Sequence, residues 1–449
     1  MQVYHEPEIP VHEYAFRIGL LLKNISLHAT LQPSRQSAGK GSGSGRGLCD
    51  GFRLRQEGVH MSVLGVVAEY NPFHNGHLAH LNAAVSSVAP SAVLVALSGP
   101  FTQRGEPALL SPFRRAECAL HAGADAVFAL PVCWTVRDAE HYALGAVSML
   151  SSLGATHLAF GAETPDLSLL QRTADLLEDS PVPLQETLRA LLDHGRGYPY
   201  ALSEAVGTCL PEGGLLLRRS NNILAVCYLR AIRRLGLSLT PVVIPRHGGY
   251  RSDRIDPDCP SASAVRDALS RGSWQNALSA LPEMSAAAVR SAFLSGSVPD
   301  PAVLDALLLA RLRGMSLTEA ALLPDCPEGL DAALLKAAAT AGSRSEILER
   351  LTARRYPSAR ISRLCACALL GVTREDLDGL PLPDTALLLA IRKNPVMTER
   401  WKNAGIQVLT APEWQKTAAR PELEAWRLWA LCCGMPGSFP FSERLPVIR

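Results

Sequence analysis

From Met61 onward the chain alternates short, unbroken apolar runs with longer stretches in which apolar residues return every three or four positions. SVLGVVA, SAVLVAL, DAVFAL and THLAF are Val-, Leu-, Ala- and Phe-rich runs of strand length, and each leads into a stretch of helical period. Ser111-Pro112 marks the start of the second of these helices, a capping residue followed by a proline at the first helical position. Asp138 to Gly154 and Pro165 to Asp179 predict two more. SNNILAVCYLRAIRRLG, Ser220 to Gly236, predicts another, closed by basic residues and a glycine. It precedes a strand in LTPVVIPR and a helix opening at SASAVRDALSRG. Strands apolar on both faces, joined by helical crossovers, predict a parallel sheet covered on both sides. Past about Trp274 the strand signals fade into Ala-, Leu- and Arg-rich helical segments that run to roughly Arg400, with one short strand expected at GIQVLTA. The expected architecture is an α/β parallel-sheet domain over 61–275, followed by a mostly α-helical domain over 276–449.

Residues 1–60 stand apart. They hold a Gly/Ser/basic stretch, SAGKGSGSGRG at Ser37 to Gly47, and no sustained periodicity, so they are expected to be disordered or an upstream extension. FRIGLLLKNISL resembles a signal h-region, but acidic residues precede it and no small-residue cleavage site follows closely. Met61, which begins the first strand pattern, is a candidate start of translation alongside Met1. With 47% apolar and 19% charged residues the composition is that of an ordinary globular chain, and no apolar run reaches the roughly 18 to 20 residues of a membrane span. The eleven cysteines lack paired C-x-x-C spacing, which predicts reduced, buried thiols in a cytoplasmic protein, and no metal site is expected.

Charge narrows the choice of partners. Residues 61–449 carry 37 Lys/Arg and 37 Asp/Glu, so a nucleic acid would have to be held by a local patch and not by a global field. Such a bias exists late in the chain: Arg344 to Arg363 has six Arg against two Glu, with Tyr356 among them. A phosphate-tracking patch with a stacking aromatic and a plain solvated helix face both fit that cluster.

The first strand-to-helix loop is the strongest candidate for chemistry, because open parallel sheets bind ligands beyond the carboxyl ends of their strands. In GVVAEYNPFHNGHLAHL, Gly65 to Leu81, His74 and His77 flank Gly76 in an H-x-G-H tetrapeptide. Gly76 lets the backbone pass close to a ligand, and His77 opens the helix. Two imidazoles and free amides there suit a phosphate, and in particular attack on the α-phosphorus of ATP, where charge builds on the phosphoryl oxygens. His80, one turn on, either faces the same pocket or packs. After the second strand, SGPFTQRGEPA places Gln103, Arg104 and Glu106 in a Gly/Pro-rich turn on the same rim, suited to holding a substrate or an adenylate. A well-ordered turn with an Arg-Glu surface pair is the plainer account. FGAE ends the fourth strand, and its Gly161 would let an adenine or ribose lie against the backbone. Asp125 begins the third strand, at the wrong end for catalysis, and is expected to be structural.

GVVAEYNPFHNGHLAHL, SGPFTQRGEPA, FGAE, SNNILA and SASAVR, in this order and spacing, resemble the tRNA(Met) cytidine acetate ligases, built on the Rossmann-like nucleotidyltransferase fold of the H-x-G-H superfamily. The resemblance spans essentially all of 61–449 and is strongest from Gly65 to Arg266. It implies activation of acetate with ATP to acetyl-adenylate and pyrophosphate, then transfer of the acetyl group to the wobble cytidine of elongator tRNA(Met), giving N4-acetylcytidine. It implies ATP contact along Val67, Ala68, Glu69, Tyr70, Asn71, Pro72, Phe73, His74, Asn75, Gly76, His77, Leu78, Ala79 and His80. It adds Gly161, Asn222 or its neighbour Asn221, and Arg246-His247. SASAVR resembles the Ser/Thr-rich segment that puts hydroxyls, a helix N-terminus and an Arg near the phosphates, which makes Ser261, Ser263 and Arg266 candidate contacts; an ordinary Ser cap with a surface Arg is the alternative. Mg2+ is expected with the pyrophosphate, and no acetyl-CoA site is expected. Pro100 stands where the family is expected to carry Asn or Asp.

A small-molecule adenylyl- or cytidylyltransferase of the same fold is the main competing function, though it would need no long helical tail. A class I aminoacyl-tRNA synthetase fits less well, since SASAVR stands where K-M-S-K-S would be. A non-catalytic nucleotide- or RNA-binding protein fits poorly with an intact His74, Gly76, His77 and Arg266. Truncation near Trp274 is expected to impair tRNA binding more than ATP binding, unless the helical part is also needed for folding.

Overall fold

The computed structural model describes residues 61–246, 255–258, 260–353, 355–392, 401, 405–437 and 445–448. Its centre is one mixed sheet built from β1 (Val63–Ala68), β2 (Ala92–Ser98), β3 (Ala126–Leu130), β4 (His157–Ala162), β5 (Thr240–Pro245), β6 (Thr385–Arg392), β7 (Gln407–Leu409) and β8 (Val447–Ile448), in the order β5-β4-β1-β2-β3-β6-β7 with β8 also on β6. The first five strands are mutually parallel. The chain steps from β1 outward through β2 to β3, then returns to lay β4 and β5 on the other side of β1. That reversal opens a crevice beyond the carboxyl ends of β1 and β4, the place where such sheets bind ligands.

Every residue of β2 and β3 is buried, yet the two faces stay separate. On one side Leu64, Val66, Val93, Val95 and Leu97 pack against α1 (Asn75–Val88) and α2 (Pro112–His121) through Leu81, Ala84, Phe113 and Leu120. On the other, Leu94, Ala96 and Phe128 meet α3 (Ala139–Ser152), α4 (Leu167–Asp179) and α5 (Ser220–Arg234) through Val147, Leu150, Leu170, Val226 and Leu229. The Ser111 side chain accepts from the Arg114 amide and Asp138 caps α3, as their positions ahead of helical periods predict. Asp125 lies at the amino end of β3, where its carboxylate accepts from the Val93 amide at 2.8 Å.

Beyond α6 (Ala262–Ser270) the chain builds a helical bundle from α7 (Pro301–Arg313), α8 (Leu330–Thr340) and α9 (Ser358–Leu370), cored by Leu308, Leu312, Leu334, Ile361 and Leu364. It does not stay apart from the sheet. TALLLAIR, within the stretch expected to be helical, is β6, antiparallel to β3 and buried from Ala386 to Ala390. An unbroken apolar run carries no period of its own; its eight-residue length and the PLPD ahead of it are the features that favour a strand. GIQVLTA contains β7, as expected. Then α10 (Ala411–Thr417) and α11 (Arg420–Cys432) close over the α1/α2 side, burying Trp414 and Trp426. The paired thiols are divided among apolar clusters, Cys365 in the bundle and Cys367 and Cys433 with Phe101 and Trp429.

Candidate active site

The β1–α1 loop is held from every side by main-chain bonds. The Asn71 side-chain oxygen accepts from the Leu109 amide at 2.7 Å, and the Asn71 carbonyl accepts from Arg266 at 2.8 Å. Ser285 donates to the Phe73 carbonyl at 2.6 Å, while the Asn75 amide and side chain donate to the carbonyls of Ala280, Pro257 and Ser279. Beneath the loop the guanidinium of Arg115, fully buried, donates to the carbonyls of Glu69, Leu110 and Gly99. Tyr70 takes a φ of +46°, and the Asn71–Pro72 bond is cis.

Two histidines cap α1 with each other. The Nδ1 of His74 accepts from the His77 amide at 3.3 Å, and the Nδ1 of His77 accepts from the His74 amide at 3.2 Å. Their rings stack with centroids 3.6 Å apart. An Nδ1 that accepts carries no proton, so each neutral ring keeps its hydrogen on Nε2 as a donor. Burial, followed by the nearby charge of Arg246, pushes His74 down to about 3. His77 lies well below the usual range through burial, then His74, Arg246 and His80, and burial with Arg246 brings His80 to about 4. All three rings are therefore neutral near pH 7. Gly76 earns its place sterically: a Cβ there would sit 3.1 Å from the His74 ring.

Across the crevice, Gly161 at the end of β4 faces the His80 ring and Arg246, with a Cβ position 3.7 Å from His80 Cδ2. Glu163 accepts from the amides of Asn221 and Asn222, holding the start of α5. The two asparagines then diverge. Asn222 is buried, accepting from the Thr164 amide and donating to Thr164 Oγ1 and the Leu216 carbonyl. Asn221 donates to Glu163 at 2.7 Å and accepts from Arg246 Nη1 at 3.0 Å, on the crevice side. Two buried polar atoms, the hydroxyl of Tyr70 in the β1–α1 loop and Nε2 of His80 on α1, find no partner among the described residues, which is what a ligand site leaves behind.

The loop after β2 closes the rim. Gln103 donates from its amide to Glu69 and from its side chain to the Arg137 carbonyl. Glu106 lies 3.5 Å from Arg266 and 3.9 Å from Arg344, and Ser362 donates to the Arg104 carbonyl. Ser261 caps α6 through the Ala264 amide, whereas Ser263 is exposed.

A family model described as HIGH Nucleotidyl Transferase matches residues 61–429. A tRNA(Met) cytidine acetate ligase of Kosmotoga olearia is 37% identical over 319 residues, covering 69% of this chain and 75% of that one. Its counterpart in Syntrophotalea carbinolica is 39% identical over 311 residues, covering 68% and 73%. The chain belongs to the tRNA(Met) cytidine acetate ligase family. Among solved structures, apo TmcAL of Thermotoga maritima superposes with a TM-score of 0.82 at 29% identity, covering 87% of this chain and all of that one. The same protein bound to alpha-thio ATP gives 0.80.

With the ligase family established, the residues singled out in the sequence fall into three groups. Glu69, Asn71, His74, Asn75, Gly76, His77, His80, Gly161, Asn221 and Arg246 gather around the crevice, with Gln103, Glu106 and Arg266 on its rim. Ala68, Tyr70, Pro72 and Phe73 are buried under the loop, Val67 and Leu78 pack into opposite faces of the sheet, and Ala79 is exposed. His247 lies outside the described residues. Arg115, Glu163, Thr164 and Ser285 organise the site without having been singled out. FGAE contains Glu163, but nothing in the sequence marks Arg115 as a buried cation. In the Arg344–Arg363 stretch, Arg344 turns inward to Glu106 and Ser362, and Arg350 bonds to Thr340 and Glu346. Tyr356 sits between the guanidiniums of Arg355 and Arg360.

Proposed function

We propose that the chain is an ATP-dependent acetate ligase that acetylates N4 of the wobble cytidine of elongator tRNA(Met). The observation that carries this reading is the reciprocal cap of His74 and His77, which fixes two neutral imidazoles as Nε2–H donors at the ligand end of the sheet. Acetate oxygen attacks the α-phosphorus of ATP, the bond to the bridging oxygen of pyrophosphate breaks, and acetyl-adenylate forms. The cytidine amine then attacks the acetyl carbonyl, AMP departs and the amine loses a proton. His74 and His77 donate to the α-phosphoryl oxygens as charge develops there, an arrangement worth more in a dry site than in water. Arg246, steadied by Asn221, supplies positive charge to the phosphates, and Gly161 leaves room for the nucleoside. The rim of Gln103, Glu106 and Arg266, with the α6 start at Ser261 and Ser263, is placed for substrate or pyrophosphate.

Magnesium, expected with pyrophosphate, finds no cage of its own among the described residues: both Glu163 oxygens are taken by α5, and Glu69 is bonded to Gln103. It would arrive on the phosphates, and the actions assigned to these side chains do not depend on it. Family membership favours this reading over a small-molecule nucleotidyltransferase. Mass spectrometry of nucleosides from elongator tRNA(Met), after incubation with protein, ATP, Mg2+ and isotopically labelled acetate but no acetyl-CoA, tests it. Labelled N4-acetylcytidine at the wobble position is expected. Active, ATP-binding protein that leaves the RNA unlabelled overturns it.

A further inference from the structure

Beside the crevice, at the seam between sheet and bundle, lies a separate cleft of 330 Å³ into which four arginines reach: Arg137 from the loop after β3, Arg360 and Arg363 from α9, and Arg374 just beyond it. Two carboxylates, Asp325 and Asp378, share its wall, so the lining is cationic by two charges. Among the described residues none of the four guanidiniums has a carboxylate within ion-pair distance. They are aimed instead by backbone carbonyls: Arg360 donates to Asp325 O at 2.8 and 3.1 Å, Arg374 to Ala321 O and Cys326 O at 3.4 Å, and Arg137 to Leu377 O at 3.5 Å. The Nε of Arg363 is buried with no hydrogen-bond partner among the described residues. Carbonyls fix the direction of a guanidinium without cancelling its charge, so this cluster is built for an anion that the protein itself does not supply.

We propose that this cleft takes a single-stranded RNA segment, one phosphodiester unit with its base, next to the nucleotide that reacts. The proposal rests on the ligase reading and adds the surface that holds its RNA. Three observations choose RNA over a free anion. The volume lies at the small end of the roughly 300–1,000 Å³ of ligand pockets, enough for one nucleotide and too small for a duplex. Tyr356 lies outside the cleft wall, against the bundle, but its ring meets the guanidinium of the lining Arg360, so a strand leaving the cleft on that side finds an aromatic and a guanidinium plane of the kind on which unpaired bases stack. Finally, Gln103 joins the cleft to the histidine loop, its amide on Glu69 and its side chain on the carbonyl of Arg137. A strand lying in the cleft therefore leads directly to the rim of the active site.

The test uses the full chain with the double variant Arg360→Ala/Arg374→Ala, both partly or wholly solvent-facing residues outside the nucleotide site. Affinity for elongator tRNA(Met) and for its isolated anticodon stem-loop is measured from 50 to 200 mM salt, together with ATP–pyrophosphate exchange in acetate. We expect RNA affinity to fall about tenfold or more and the salt slope to flatten by about 1, as for one phosphate no longer neutralised, with exchange unchanged. Arg360→Lys/Arg374→Lys should recover much of the slope. Wild-type affinity and slope in the Ala variant would overturn the proposal, as would a variant that binds RNA normally but loses binding of inorganic pyrophosphate or AMP. Binding needs no turnover, so a wild-type enzyme that holds the stem-loop through these arginines yet makes no acetyl-adenylate would sink the ligase reading and leave the cleft standing.

Discussion

At the scale of single residues, His74 has two separable duties, capping α1 and presenting Nε2–H. Asparagine caps helices well but cannot reproduce the second, so His74→Asn should keep the fold to within about 1 kcal/mol while slowing adenylate formation by about 10²–10³-fold. Thermal melts and pyrophosphate exchange read the two effects independently; normal exchange would remove His74 from the chemistry. The histidines also set a pH signature. His74 and His80 are held at about 3 and about 4 in the fold, against about 6.5 when unfolded. Between those values the unfolded chain binds protons the folded one refuses, so their contribution to stability is complete above about pH 6.5 and is lost as pH falls to about 4 for His80 and about 3 for His74. Denaturant midpoints should drop across that window, less steeply in His74→Asn. The two neighbouring asparagines should split. Asn222→Ala leaves the Thr164 amide without its acceptor, while the Leu216 carbonyl keeps the Arg219 amide, and should cost about 1–3 kcal/mol, whereas Asn221→Ala should spare stability and raise KM for ATP. Equal destabilisation by both would contradict the assignment. Sequence alone reached the SNN motif and favoured Asn222 without excluding Asn221; the structure turns Asn221 to the crevice, because what distinguishes them is which side of a helix start meets Glu163 and Thr164.

Among elements, the decisive contact is between the β2 loop and α9. Gly105 has a φ of +72°, and a Cβ there would lie 2.8 Å from Ala366 Cβ and 2.9 Å from the Ser362 carbonyl. Both neighbours are helical and cannot yield, so Gly105→Ala should part the bundle from the rim, lowering thermal stability by several degrees and weakening RNA binding more than ATP binding. A variant indistinguishable from wild type in both would show the contact to be dispensable. The strand–helix alternation from β1 to β5 was legible because each strand is a short apolar run bounded by polar turns. The H-x-G-H loop was legible because it follows the first of them. Arg115 was not, since a buried guanidinium and a surface one look alike in a sequence; only the three carbonyls around it distinguish them. β6 was hidden for the opposite reason, its uniform apolarity fitting helix and strand equally.

For the molecule as a whole, the central sheet spans the boundary near Trp274 that the sequence suggests, taking β6 from beyond it. Residues 385–392 line the outer side of β3, and Trp414 and Trp426 fill the core over α2. A fragment ending at 274 should therefore lose ATP binding together with RNA binding and collect in the insoluble fraction, in contrast to the selective loss expected from sequence; a soluble fragment that still exchanges pyrophosphate would show β6 to be an ornament. The same strand orders events on the ribosome. Phe128 pairs with Leu388, and at roughly 5–20 residues per second some 13 to 50 s separate the synthesis of one from that of the other. Throughout that interval β3 of the nascent chain carries an unpaired edge, of the kind that pairs with other chains until its own partner strand is made.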